Sequence, residues 1–252
     1  MIYHYTSIDT LSLILKHKKI KFNRLDFVND PLEGFSSNFL DSQKLAYVSC
    51  FTKRKDDSIP MWAMYTEKFK GIRIGFPQNI FGEVEQERSG LKIRKLDREI
   101  LDIESSFLAG PEDIVYKKSI EEIDHKIFRE FNNPTAREKD KGISFNPYKI
   151  GKFKLQDWEF EQECRFLILN IDFKFVTGIN SEFFTKHKEE IDSKLNSSPT
   201  ELYVPFKESI LSEVEILMGP KTTEADRIIV EALVAKYAPS IIKIEKSNKK
   251  IN

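Results

Sequence analysis

Glu159, Glu161, Glu163 and Arg165 alternate with Phe160, Gln162, Cys164 and Phe166. A period of two is that of an extended strand. The spacing therefore predicts a strand over 158–169 with three carboxylates and a guanidinium on one face. Carboxylates so close repel one another unless a cation or a hydroxyl meets them, and acids in such clusters often mark sites. The same pattern also fits a solvated sheet face with weak ion pairs. If Glu161 is desolvated beside Glu163, its pKa rises and it gains the capacity to take a proton from a substrate. Arg165 would pair with one of the two, or with a phosphate.

Two further groups carry chemistry. His4 sits between Tyr3 and Tyr5 on a strand-forming run that ends at Thr6, just before a helix start. Trp62 and Tyr65, three residues apart after Pro60, share one face of a short helix. Such a pair either packs into a core or stacks on a flat ring such as a nicotinamide or a base. Asn29-Asp30-Pro31 is a strong turn signal. His17, His125 and His187 lie among charged residues and read as surface groups. Cys50 and Cys164 are too far apart for metal-ligand spacing and read as buried thiols. No glycine-rich phosphate loop, HExxH or Gly-x-Ser-x-Gly occurs, and no metal is expected.

These residues need a scaffold, and the composition supplies one. The chain has 252 residues, 40% of them hydrophobic and 20 of them Phe, enough apolar area to exclude global disorder. Forty Lys and Arg balance forty Asp and Glu. No overall field therefore draws it to nucleic acid or to anionic membrane. No apolar run reaches membrane-spanning length, and the first residues lack the features of a signal peptide. The expectation is a cytoplasmic protein with no membrane partner. Strands are predicted near 2–5, 20–22, 47–52, 72–76, 202–204, 214–218 and 240–245. Helices are predicted from about residue 8, from 60 to 65, over 119–131 and over 223–237. Together they predict a single α+β domain over 1–245: a central, mostly antiparallel sheet flanked by helices, with a helical insertion at 100–150. The lysine-rich tail, 246–252, is expected to be disordered.

Several blocks in order resemble a bacterial family known as domain of unknown function 2971. They are Tyr3-His4-Tyr5-Thr6-Ser7, Asn29-Asp30-Pro31-Leu32-Glu33, Cys50-Phe51-Thr52, Met61-Trp62-Ala63-Met64-Tyr65, Gly71 to Phe76, Trp158 to Arg165, and Met218-Gly219-Pro220. A second resemblance is to the ADP-ribosyltransferase superfamily, through its His, Tyr, Glu order, met here by His4, Tyr65 and Glu163. It implies an ADP-ribosyltransferase-like fold and NAD as substrate, in a toxin or antiviral defence effector. His4, with Tyr3 and Thr6, would hold the adenosine-side ribose and pyrophosphate. Tyr65, with Trp62, would stack on nicotinamide. Glu163 would accept from the ribose 2′-hydroxyl, and Glu161 would orient an acceptor, either protein or nucleic acid. Asn29, Asp30 and Arg165 complete the expected binding set. Two alternatives stand beside this. One is a metal-dependent nuclease using Asp30, Glu33, Glu161 and Glu163. The other is a non-catalytic module binding a nucleotide or a partner through Asn29, Asp30, Trp62 and the glutamate segment.

Overall fold

A computed structural model describes residues 1–88, 91–95, 107–132, 141–145, 147–170 and 181–251. The strands are β1 Ile2–Thr6, β2 Lys19–Arg24, β3 Ala46–Thr52, β4 Ile72–Phe76, β5 Gln86–Arg88, β6 Leu91–Lys95, β7 Phe107–Asp113, β8 Val115–Lys117, β9 Phe128–Asn132, β10 Lys141–Phe145, β11 Phe153–Leu155, β12 Glu163–Leu169, β13 Glu201–Pro205, β14 Glu215–Met218 and β15 Lys243–Lys246. The helices are α1 Ile8–His17, α2 Ile59–Tyr65, α3 Ile120–Ile123, α4 Ser181–Ser197 and α5 Glu224–Tyr237. Both the mixed α and β character and the mostly antiparallel open sheet match expectation.

Among the described residues, eleven strands form one sheet in the order β15-β14-β4-β1-β3-β12-β7-β6-β5, with β2 and β13 branching from β3. Only β14 and β15 run parallel within it. The branch matters most. One edge of β3 is shared: β1 meets it at Tyr3↔Thr52, and β2 meets it at Asn23↔Val48 and Arg24↔Tyr47. Ser49, Cys50 and Phe51 have no strand opposite on that edge, while their other edge pairs fully with β12. The sheet is forked there.

One face carries the larger apolar core. Ile2, Phe51, Ile74 and Phe166 pack under Leu11, Ile14 and Leu15 of α1 and Val230 and Val234 of α5. Both helices start on side-chain caps that satisfy first-turn donors: Ser7 accepts from the Thr10 N–H, and Thr223 and Asp226 form a reciprocal box. On the opposite face, Leu25, Val48, Ile191 and Leu195 make one cluster, and Tyr5, Met61 and Trp62 make another.

Three expectations are corrected. The helix predicted over 119–131 is the single turn α3, followed by β9, and the described residues between 107 and 145 are largely strand rather than a helical insertion. Side-chain hydrogen bonds divert the backbone: Asp124 accepts from the Ser37 N–H at 2.9 Å, and Asn38 Oδ1 accepts from the Ile127 N–H at 3.1 Å. The strand predicted from residue 158 starts at Glu163, because Gln156–Glu161 forms a 3-10 helix that ends with Gln162 at φ 44°. The tail is anchored rather than loose at its start. Ser247 is buried, its N–H donates to the Met218 carbonyl at 2.8 Å, and its hydroxyl donates to Asp57 at 2.6 Å.

Gly71 and Gly219 let the ends of β1, β4 and β14 close on one another. The Gly219 N–H donates to the Gly71 carbonyl at 2.8 Å, and a Cβ on Gly71 would overlap the Thr6 carbonyl and the Thr66 side chain. Gly71→Ala is therefore expected to cost about 1–3 kcal/mol by overpacking. Urea unfolding measures this, and an unmoved midpoint would show that the strand ends do not approach so closely.

Candidate functional site

The fork opens a cleft of about 700 Å³ along the unpaired edge of β3. The cleft reaches side chains on both sides of the sheet: Leu13 and Ile14 of α1 on one, Tyr65 and Lys154 on the other. Ser49, on the unpaired stretch, lines it with a buried hydroxyl that has no hydrogen-bond partner.

At its base lies a buried cluster of five charges. Glu163 and Arg165 point from β12 to the same face, beside Cys50 of β3. Lys154 comes from β11, Glu161 from the end of the 3-10 helix, and Glu33 from the turn after Pro31. Lys154 Nζ lies 2.9 Å from Glu33, 2.6 Å from Glu161 and 3.1 Å from Glu163. Arg165 lies 2.5 Å from Glu33 and donates through Nε to Glu163 at 2.8 Å. Its Nη2 is also 2.5 Å from Glu163 but lacks hydrogen-bond alignment, so that contact is an ion pair only. The Tyr65 hydroxyl donates to Glu161, and the Tyr116 hydroxyl accepts from the Glu163 N–H at 2.8 Å.

Three carboxylates face two cations, so one negative charge is in excess. The acids divide accordingly. Burial pushes Glu163 up, but the Arg165 guanidinium and Lys154 ammonium outweigh it, and its pKa falls below the ordinary value. Burial also pushes Glu161 up, and there Lys154 does not overcome it, with the Glu163 charge adding to the rise. Lys154 is held charged: burial opposes this, but Glu163, Glu33 and Glu161 prevail. Tyr65 is raised by burial and by the Glu161 charge, so it stays a donor.

His4 is half-buried and lines the cleft. Its Nδ1 lies 2.9 Å from the Cys50 carbonyl. A carbonyl only accepts, so Nδ1 carries the proton and Nε2 keeps a lone pair. Burial lowers its pKa against that hydrogen bond, which favours the neutral ring.

The structure thus brings His4, Tyr65, Glu161 and Glu163 to one cleft, together with Tyr3, Thr6 and Asn29. Three expected binding residues are placed elsewhere. Trp62 is sealed, with its Nε1 donating to Asp57 at 2.8 Å and its ring edge-on to Tyr5, so it anchors α2 instead of offering a platform. Asp30 is buried and accepts from the Leu32 N–H at 2.9 Å, shaping the turn that presents Glu33. Arg165 pairs with Glu163, the first of the two alternatives expected of it, and with Glu33, and it does not line the cleft. Lys154 and Tyr116 carried no sequence signal, being single residues of common type. Glu33 was visible only as a nuclease ligand, and the structure pairs it with Lys154 and Arg165. Among the described residues, no group of three acids, histidines or cysteines is placed to hold a metal.

A family model described as a protein of unknown function, DUF2971, matches residues 61–166. The matched stretch is similar to that family, in line with the order of its motifs. The matched segment includes Tyr65, Lys154, Glu161, Glu163 and Arg165. No curated protein and no solved structure matches the chain. Among the described residues, no helix is long and apolar enough to cross a membrane.

Neutralising Glu163 should be far costlier than neutralising Glu161. Glu163→Gln takes from Arg165 the carboxylate that accepts from its Nε and takes from Lys154 one of its three acids, and is expected to cost about 3–5 kcal/mol at neutral pH. Glu161→Gln removes the excess charge and should cost much less. Because the folded-state pKa of Glu163 is depressed, its contribution is present above the unfolded carboxylate value of about 4.3 and is lost as pH falls through the folded value. Urea titrations between neutral and acid pH check both points; equal costs for the two variants would contradict this division.

Proposed function

We propose that the chain is an NAD-consuming enzyme that transfers ADP-ribose to an acceptor or to water. The observation that carries this reading is the convergence of His4, Tyr65, Glu161 and Glu163 on one cleft of about 700 Å³. That volume falls within the range of small-molecule sites, roughly 300–1,000 Å³.

The chemistry follows from the charges. Cleavage breaks the bond between the ribose C1′ and the nicotinamide nitrogen, and the bonding pair leaves with nicotinamide, which departs neutral. Positive charge develops on the ribose, and a carboxylate held in place beside it stabilises that charge without reorganising. Glu163 suits this role because its cations keep it ionised. A lone pair of the acceptor then forms the new bond at C1′, and the acceptor's proton passes to Glu161. The raised pKa of Glu161 makes it the better base of the two. The free Nε2 of His4 would accept from a ribose hydroxyl, and the Tyr65 ring would lie against the leaving group.

The test is nicotinamide release from NAD by the purified protein. Wild type should turn NAD over, and Glu161→Gln should lower the rate by about 10²–10⁴-fold while the protein stays folded. The rate should climb with pH through a value above the ordinary carboxylate range, since Glu161 must be ionised to act. A folded wild-type protein that neither binds nor consumes NAD would overturn the proposal.

A further inference from the structure

A second pocket, of about 310 Å³, opens on the same face of the sheet, over β1, β4 and β14. Its lining shares only Tyr3 with the main cleft. Arg73, the second residue of β4, opposite Tyr5 and Leu217, lines it and is 9% exposed.

A buried arginine is normally paired with a carboxylate. Arg73 is not: among the described residues no ion pair involves it. Its guanidinium lies 4.3 Å from the Tyr3 ring centroid. Nη1 donates to the Lys55 carbonyl at 2.6 Å, and the Tyr5 hydroxyl is beside it. Nε is buried with no partner. A guanidinium has five N–H donors, so most of this one's capacity is unused. The nearby acids are engaged elsewhere or lie at the rim. Asp57 accepts from Trp62 at 2.8 Å and from Ser247 at 2.6 Å, and Glu215 pairs with Lys243 at 2.9 Å. Asp56 and Glu245 are exposed.

We infer that this pocket is an anion-binding site in which Arg73 receives an oxyanion, a carboxylate or a phosphoryl group, of a small ligand. The ligand supplies the direct ion-pair partner that the described residues of the chain lack, since Asp57 acts on Arg73 through its charge alone. Two parallel acceptors on one group match the fork of a guanidinium, which an ammonium would not reproduce.

Thermal unfolding in inorganic phosphate and in acetate tests this, each against sodium chloride of matched ionic strength. At roughly 20 mM, the preferred anion should raise the melting temperature of wild type by about 2–4 °C beyond the chloride control. A response to phosphate alone assigns a phosphoryl ligand, and a response to acetate alone assigns a carboxylate. Arg73→Met should lose the response, and Arg73→Lys should weaken apparent affinity about tenfold or more. Should Arg73→Met fail to fold, wild type and Arg73→Lys decide the matter. No shift in wild type with either anion, or unchanged affinity in a folded variant, overturns the inference. The readout is independent of NAD turnover, so the two readings fail separately.

Discussion

Five charges are buried where an apolar sheet face would be expected, and their arrangement governs the site. Taking charges out of water is expensive unless geometry and hydrogen bonding are both good. Here each cation is shared: Lys154 meets three carboxylates and Arg165 meets two. The charges come from four separate segments, so the cluster forms only when the turn at Asp30, β11, the 3-10 helix and β12 have all docked. The mismatch of three acids against two cations leaves one acid under-compensated: burial raises the pKa of Glu161, while Arg165 and Lys154 lower that of Glu163.

The fork in the sheet explains why this cluster can meet a ligand at all. If β1 or β2 ran the whole length of β3, the edge at Ser49 to Phe51 would be closed. Instead β1 takes one end of that edge and β2 the other. His4 partly fills the gap by bonding the Cys50 carbonyl with its ring, a backbone acceptor a neighbouring strand would otherwise occupy. An unpaired strand edge is a liability unless it is covered. Lining it with an imidazole, a phenol and carboxylates turns it into the wall of a cleft.

Local chemistry was legible in the sequence where the residue type was rare or the signal was short-range. His4 among tyrosines, Tyr65 on a proline-started helix and the glutamates near Arg165 all reach the cleft or its base. What required long-range contact was not legible. Lys154 is one of forty Lys and Arg, and nothing near it in sequence says that three acids will surround it. The alternation around Glu161 suggested one strand, yet Gln162 adopts a left-handed conformation that no periodicity reports. The turn brings Glu161 back over the face to which Glu163 points, so the two acids meet for a reason other than period two. Trp62 and Tyr65 share a helix face as expected, but depth separates them: one is sealed under Asp57 and Tyr5, while the other reaches the cleft.

Arg73 and Arg165 make an instructive pair. Both are buried, both belong to strands, and the strand registers put them on the same face of one sheet. Arg165 is surrounded by carboxylates of its own chain, while Arg73 has an aromatic face, a backbone carbonyl and a hydroxyl. Sequence context does not separate them, since each follows an apolar residue and precedes another. Burial does not separate them either. The difference lies in which loops close over each end of the sheet. The Asp30 turn and the 3-10 helix bring acids to Arg165, whereas the segment at Lys55 and the chain end at Ser247 bring a carbonyl and an already occupied Asp57 to Arg73. A charge completed internally fixes structure, and a charge left incomplete in an open pocket is free to select what enters it.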